Sequence, residues 1–337
     1  MTASLASAIF AATSQRLKGY HLFSKEVIRE IAQCAENQAG VSYQDWFKQI
    51  GLPKVELYTT KRGRTVPYIT IAARSKSTKT LVINLPMGNS LDTSQLYQIA
   101  TIAAVVPECT IVAFGNPSGK PFHFKRQKLS VKELFEIAFT SRRRSAVASE
   151  LEYIDEHVKG DVYYAGYSYG ALKALLEATY TTDTRLKGII LVDPVAHPRY
   201  RKQLLENFMA TLKPMGEYVD RTGIEGYLAA RKDAAETVNY NAGLRRPINI
   251  AIGMMLAKAD FAQLFEAVLQ HRPSLYATVA WASKSELGND AHMEVTLHRL
   301  SHEYPHVQAM RLDGDRHSVA NDIHLHAAII REALNAI

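Results

Sequence analysis

The sequence predicts an α/β protein, a mostly parallel sheet covered by helices on both faces and interrupted late by a helical insertion. Three observations carry the prediction. From about residue 80, short apolar, β-branched runs alternate with amphipathic segments, the texture of a sheet buried on both sides. At 162–173 a strand, a Gly-x-Ser-x-Gly turn and a helix follow one another. Between 197 and 273 the alternation lapses into 77 residues that read almost wholly as helix.

Taken in chain order, residues 1–50 read as a peripheral helical extension, because Ser24 precedes Lys25–Ile31, where apolar positions recur at helical spacing. Val55–Thr60 and Thr65–Ala73 are rich in β-formers and are joined by Lys61-Arg62-Gly63-Arg64, a hairpin turn. Thr80–Leu85 is a short apolar strand ending at Pro86. Leu91–Val106 is then a helix, Cys109–Phe114 a strand, Ser130–His157 largely helix, and Asp161–Ala165 a strand. Tyr169–Tyr180 is a helix and Leu186–Val192 a strand. Within the insertion, Lys202–Leu212, Gly223–Thr237 and Ala259–Leu269 are helical, and four of the eight methionines lie there (Met209, Met215, Met254, Met255), a residue that packs irregular apolar surface. Leu275–Ala282 and Val307–Leu312 are the last strands, each followed by a helix. The domains expected are a core at 51–196 and 274–337, a helical cap at 197–273 and the extension at 1–50.

Composition excludes several classes. Of 337 residues, 47% are hydrophobic and 22% charged, so the chain is no disordered one. Two cysteines, Cys34 and Cys109, stand 75 positions apart and fit neither a disulfide scaffold nor a metal or redox spacing. The longest apolar runs, such as Ile250–Ala257, are far shorter than the ~20 residues of a membrane span. The weakly apolar Leu5–Ala12 has no basic residue ahead of it, the first arginine being Arg16, so a cytoplasmic protein is expected. The net charge of +7 is densest in Lys120–Arg144, with Lys120, Lys125, Arg126, Lys128, Lys132 and Arg142-Arg143-Arg144 against Glu133 and Glu136. Without a zinc-finger or RRM-type motif this reads as a solvated face or a surface for an acidic partner, and no nucleic acid is expected.

The chemistry is carried by Gly166-Tyr167-Ser168-Tyr169-Gly170. It follows the strand Val162–Ala165 and precedes the helix beginning Ala171-Leu172-Lys173, the context of a nucleophile elbow. A sharp strand-to-helix turn needs small residues two positions either side of the nucleophile, so that strand and helix can approach. It stands the serine oxygen at a helix N-terminus, where the dipole favours developing negative charge.

With this motif in place the chain resembles the α/β-hydrolase superfamily from about Val55 to the C-terminus. The resemblance adds Pro86-Met87-Gly88-Asn89-Ser90 after the Leu81–Leu85 strand as the oxyanion loop, the Gly-rich Phe114–Gly119 loop, the cap at 197–273, and a histidine loop, Asp313-Gly314-Asp315-Arg316-His317-Ser318, after the last strand. It implies Ser168 as nucleophile, His317 as base, and the backbone amides of Met87 and Tyr169 as oxyanion hole, in a loop that lacks the His-Gly-Gly-Gly of lipases. For the acid it favours Glu286, with Asp193 and Asp290 as alternatives. Glu286 also reads as a capping-box partner of Ser283, and Asp193 as an Asp-Pro turn. Tyr167 and Tyr169 either wall an acyl pocket or pack on the sheet. His324 and His326 fall inside the final helix, and His298 and His302 on a solvated helix face.

The activity expected is a serine hydrolase acting on a small-molecule carboxylic ester, thioester or lactone through an acyl-enzyme, with neither metal nor organic cofactor. The alternatives are a thioesterase or acyltransferase using an acidic carrier protein, and a non-catalytic binding protein on the same fold.

Overall fold

Parallel β-strands feed successive helices across the sheet, as the alternating sequence texture demands. A computed structural model describes residues 19–23, 52–116, 129–140, 143–195, 204–237, 247–287 and 291–335. The strands are β1 (Gly19–Phe23), β2 (Glu56–Thr59), β3 (Thr65–Ile71), β4 (Lys79–Asn84), β5 (Cys109–Phe114), β6 (Val162–Tyr167), β7 (Leu186–Val192), β8 (Tyr276–Ala282) and β9 (Val307–Leu312). They form one nine-stranded sheet in the order β1-β9-β8-β7-β6-β4-β5-β3-β2. Among the described strands only β3 runs against the rest, pairing antiparallel with both β2 and β5. The β2–β3 turn places Gly63 at φ +75°, a left-handed position that glycine adopts without steric cost.

The helices are α1 (Thr93–Val105), α2 (Val131–Phe139), α3 (Ala148–His157), α4 (Tyr169–Tyr180), α5 (Leu204–Asp220), α6 (Glu225–Thr237), α7 (Pro247–Lys258), α8 (Phe261–His271), α9 (Ala291–Glu303) and α10 (Ile323–Asn335). Their starts are written in the sequence. Asp92 caps α1 by accepting the Gln95 N–H (3.1 Å), and Ser130 with Glu133 closes a capping box on α2. The largely helical stretch 130–157 is two helices, the first ending at Thr140, whose hydroxyl bonds back to the Glu136 carbonyl. A short 3₁₀ turn, Arg143–Ala146, separates the two pieces.

Successive residues of the central strands enter opposite apolar clusters. Ile189 and Leu191 of β7 face the cluster built with α3, α4, α8 and α9, while Ile190 and Val192 face the one built with α1 and α10. All four are fully buried. Each contributes roughly 1.5–3 kcal/mol by leaving water, which is why these strands read as unbroken apolar runs rather than alternating ones.

The N-terminal extension departs from expectation. Gly19–Phe23 is not helical but an edge strand, parallel to β9 in the register Gly19↔Gln308 to Phe23↔Leu312. Five residues with one neighbouring strand carry no period that a sequence reading can detect. The helix expected after Ser24, the Leu5–Ala12 stretch and Cys34 lie outside the described residues. Cys109 is buried, and burial pushes its thiol up to about 12. Within 197–273, α8 packs on α4, its Phe261, Phe265 and Leu269 buried in the same cluster as the sheet, so this helix serves as the covered crossover from β7 to β8. The helices α5 and α6 lie instead against the histidine loop and α1. Among the described residues no single helix is long and apolar enough to cross a membrane.

One buried histidine gives the fold an acid limit. His326 on α10 is held by Gln98 of α1 (2.8 Å), and burial lowers its pKa to about 4. The unfolded chain therefore binds a proton that the folded one refuses. The stability this neutral ring confers is present above pH 6.5 and lost as pH falls toward 4, by up to about 3 kcal/mol. Thermal melts of His326→Asn, which keeps an acceptor for Gln98, are expected to decline less between pH 6.5 and 4 than those of the wild type. Equal declines would remove His326 as the cause.

Candidate active site

Parallel strands put all their C-terminal ends on one edge, and the chain turns outward in opposite directions after β4 and after β6. A crevice opens at such a switch point because the following loops diverge. Asn84 of β4 is in register with Gly166 of β6, so the Pro86–Asn89 loop and the Ser168 turn leave the sheet side by side.

The turn is the sharp elbow that the motif requires. Ser168 sits at φ 58°, ψ −123°, a conformation sterically disfavoured for a residue with a Cβ. Its carbonyl accepts the Ala171 N–H (3.1 Å) and its own N–H donates to the Val192 carbonyl (2.9 Å). The flanking glycines have no substitute. A Cβ on Gly166 would run into the Gly170 carbonyl, and one on Gly170 into the Asn84 carbonyl. Tyr169 opens α4, so its amide belongs to the first turn, where N–H groups have no intrahelical acceptor.

His317 follows β9 and Asp193 follows β7, the strand beside β6. The His317 Nε2 lies 2.9 Å from Ser168 Oγ, and its Nδ1 lies 2.5 Å from Asp193 Oδ2. Asp193 is wholly buried yet fully partnered. Oδ1 accepts the Ala282 N–H (2.8 Å), and Oδ2 also accepts the Ser285 hydroxyl (2.6 Å). It too has positive φ (38°), and its carboxylate joins the Ala282 N–H at the end of β8 to the histidine. Aspartate tolerates that region better than most residues.

The carboxylate at the imidazole is thus Asp193, and the preference for Glu286 is corrected on geometry. Glu286 reaches His317 only at its backbone N–H (3.2 Å), and its other oxygen pairs with Arg316 (3.3 Å). It caps no helix either, since Ser283 bonds to Asp313 and Gly314 instead. Asp290 lies outside the described residues.

The histidine loop is clamped from several sides. Tyr167, buried so that its phenol is pushed well above its ordinary pKa, donates to the His317 carbonyl (2.5 Å), its ring tilted against the imidazole at 5.2 Å. Tyr218 of α5 accepts the Arg316 N–H (2.9 Å) and donates to Asp315 (2.9 Å). Ser318 bonds to the Thr211 carbonyl (2.7 Å), and Tyr227 of α6 to that of Asn321 (3.0 Å). Tyr218 and Ser285 carried no sequence signal, because both act across chain separations that no local pattern records.

On the other side of Ser168, Met87 opens the loop after β4. Gly88 takes φ +83°, and Asn89 donates back to the Pro86 carbonyl (3.2 Å). Asn116, at the end of β5, ties this loop down through the Leu85 and Pro86 carbonyls (3.3 and 3.2 Å). Tyr169 is buried in the apolar cluster of α3, α4 and α8, and borders a small cavity with Gly115, Leu129, Ile137 and Ile248. Pro117-Ser118-Gly119 lies outside the described residues, as do Lys120, Lys125, Arg126, Lys128 and Arg142. Lys132 and Arg144 are exposed, whereas Arg143 is half-buried with its N–H on the Tyr180 hydroxyl (2.7 Å). His298 and His302 are exposed on α9. Among the described residues no three His, Cys, Asp or Glu side chains are grouped to hold a metal ion.

No family model matches this chain, and no curated protein matches it by sequence. Solved structures do. An esterase from Pyrococcus furiosus superposes with a TM-score of 0.52 at 12% identity, over 86% of this chain and 92% of its own. An enol-lactonase from Burkholderia xenovorans gives 0.56 at 12%, over 83% and 99%. A hydrolase from Pseudomonas aeruginosa gives 0.53 at 12%, over 83% and 98%. With its sheet order, its elbow and these likenesses together, the chain has the α/β-hydrolase fold.

Proposed function

We propose that this protein is a serine hydrolase cleaving a carboxylic ester, with thioesters and lactones in the same reactive class, through an acyl-enzyme. The observation that carries the proposal is the unbroken hydrogen-bonded line from Ser168 Oγ through His317 to the buried Asp193, standing at the sheet's switch point. Serine is a weak nucleophile at neutral pH and needs a base, and the base needs a group that fixes its tautomer. Asp193 accepts the Nδ1 proton, leaving Nε2 free to take the proton of Ser168 as Oγ attacks the carbonyl carbon. The oxyanion develops toward the amides of Met87 and Tyr169. His317 then protonates the leaving alcohol or thiol and activates water for deacylation. An esterase and an enol-lactonase among the similar structures agree with an ester carbonyl as the point of attack.

The test is labelling of the folded protein with a fluorophosphonate, mapped by mass spectrometry, beside a p-nitrophenyl ester panel. One label per chain at Ser168 and turnover of at least one ester are expected. A folded protein that takes no label would instead be a binding protein on a hydrolase fold.

A further inference from the structure

Beneath the elbow lies a buried polar cluster that the proposed reaction does not use. Lys173 and Glu177 stand four residues apart on α4, and Glu150 of α3 faces them. All three are at most 4% exposed. Lys173 Nζ pairs with Glu150 Oε1 at 2.7 Å. Glu177 receives its hydrogen bond from a different source, the Asn84 side-chain amide at the end of β4, with Nδ2 2.6 Å from Oε2. Two buried acceptors at this contact have no hydrogen-bond partner among the described residues: Asn84 Oδ1 and Glu177 Oε1.

Charge and hydrogen bonding point the same way. Two carboxylates and one ammonium leave a net negative charge on buried groups, which costs several kcal/mol unless a proton neutralises it. Glu150 already holds the ammonium, so Glu177 is the group that takes the proton. A protonated carboxyl also offers the one donor that the two orphaned acceptors lack, since amide and acid present complementary donor and acceptor edges. Burial, reinforced by Glu150 and opposed by Lys173 and Asn84, raises the Glu177 pKa to about 8. The other groups facing it, Tyr164 of β6 and Tyr169 of α4, are phenols that burial keeps neutral.

The position of Asn84 gives this pair a consequence. Its backbone carbonyl is the atom against which Gly170 packs, and three residues later comes Met87. We infer that Glu177 is a neutral carboxylic acid paired with the Asn84 amide, and that this pair positions the Pro86–Asn89 loop, with its oxyanion amide, against the nucleophile helix. Glu177 is thus a positioning residue, and its part in catalysis rests on the function proposed above.

The experiment compares wild type, Glu177→Gln and Glu177→Leu. Two readouts need no substrate. The wild-type-minus-Leu infrared difference spectrum near pH 6.5 is expected to show the carbonyl stretch of a protonated carboxyl; a carboxylate band there overturns the neutral acid. Amide hydrogen exchange of residues 85–89 is expected to quicken in Glu177→Leu and return toward wild type in Glu177→Gln; unchanged exchange in the Leu variant overturns the positioning role. With an ester, Glu177→Leu is expected to lose on the order of tenfold in kcat with KM nearly constant, the signature of a misplaced transition-state contact. Glu177→Gln should recover most of that loss and lack the wild-type fall in kcat above pH about 8. An alkaline fall retained in Glu177→Gln counts against Glu177 as its origin. If wild type labels with fluorophosphonate but these variants behave alike, the positioning role fails alone. If wild type neither labels nor turns over, the hydrolase reading fails, and exchange and infrared data still decide the pair.

Discussion

Ser168→Ala is expected to lower kcat/KM for any ester substrate by on the order of 10⁵–10⁶-fold, without unfolding the protein. The size follows from what is left behind. His317 and Asp193 keep their 2.5 Å contact, but the base then has only water to activate, and the covalent intermediate is gone. Whatever rate survives comes from the oxyanion amides and from binding, which in comparable sites retain roughly 10³–10⁴ over water. Stability should stay within about 0.5 kcal/mol of wild type, because alanine meets the same strained backbone at φ 58° and Ser168 Oγ contributes only its one bond to the imidazole. Ester turnover with a matched thermal melt checks both halves. A variant keeping a tenth of the activity would show that another group attacks the substrate.

How this site was and was not legible follows from the range of each signal. Ser168 could be found because the elbow is local: a strand, five residues and a helix fix it, and the clashes at Gly166 and Gly170 explain why those residues are glycine. His317 could be placed because the resemblance supplies one loop after the last strand. The carboxylate that stands beside the imidazole could not be chosen, since its place depends on strand order. Asp193 and Glu286 follow neighbouring strands, and both reach His317, one at the ring and the other at the backbone. What separates them is the atom of His317 that each meets, and the Asp-Pro at the end of β7 does not record it in sequence. The sheet itself was legible wherever strands were buried on both faces, as at β6 and β7. It was illegible at β1, whose place is set by pairing with a strand nearly 300 residues away. Glu177 and Asn84 carried no sequence signal, because each is an ordinary polar residue until the fold brings them together.

Asp193→Asn is expected to lower kcat by about 10³–10⁴-fold, whereas Glu286→Gln should cost on the order of tenfold or less. The first substitution keeps shape and reverses one polarity. The asparagine oxygen can still accept the Ala282 N–H, which leaves its NH₂ facing the Nδ1 of His317. Two donors cannot share that 2.5 Å contact, so the imidazole takes the other tautomer and carries its proton on Nε2. The ring then donates to Ser168 Oγ at the point where it must accept, and the general base is lost while the folded structure is kept. The Ser285 hydroxyl can rotate to suit the amide and so offers no rescue. At Glu286 the same exchange removes a charge from a contact with a backbone N–H and from a half-exposed pair with Arg316, neither of which touches the ring nitrogens. Paired kcat measurements on the two variants, with fluorophosphonate labelling rates as a substrate-independent check, decide the assignment. If Glu286→Gln were the more damaging of the two, the acid would lie after β8, and Asp193 would be only the buried brace that joins Ala282, Ser285 and the histidine.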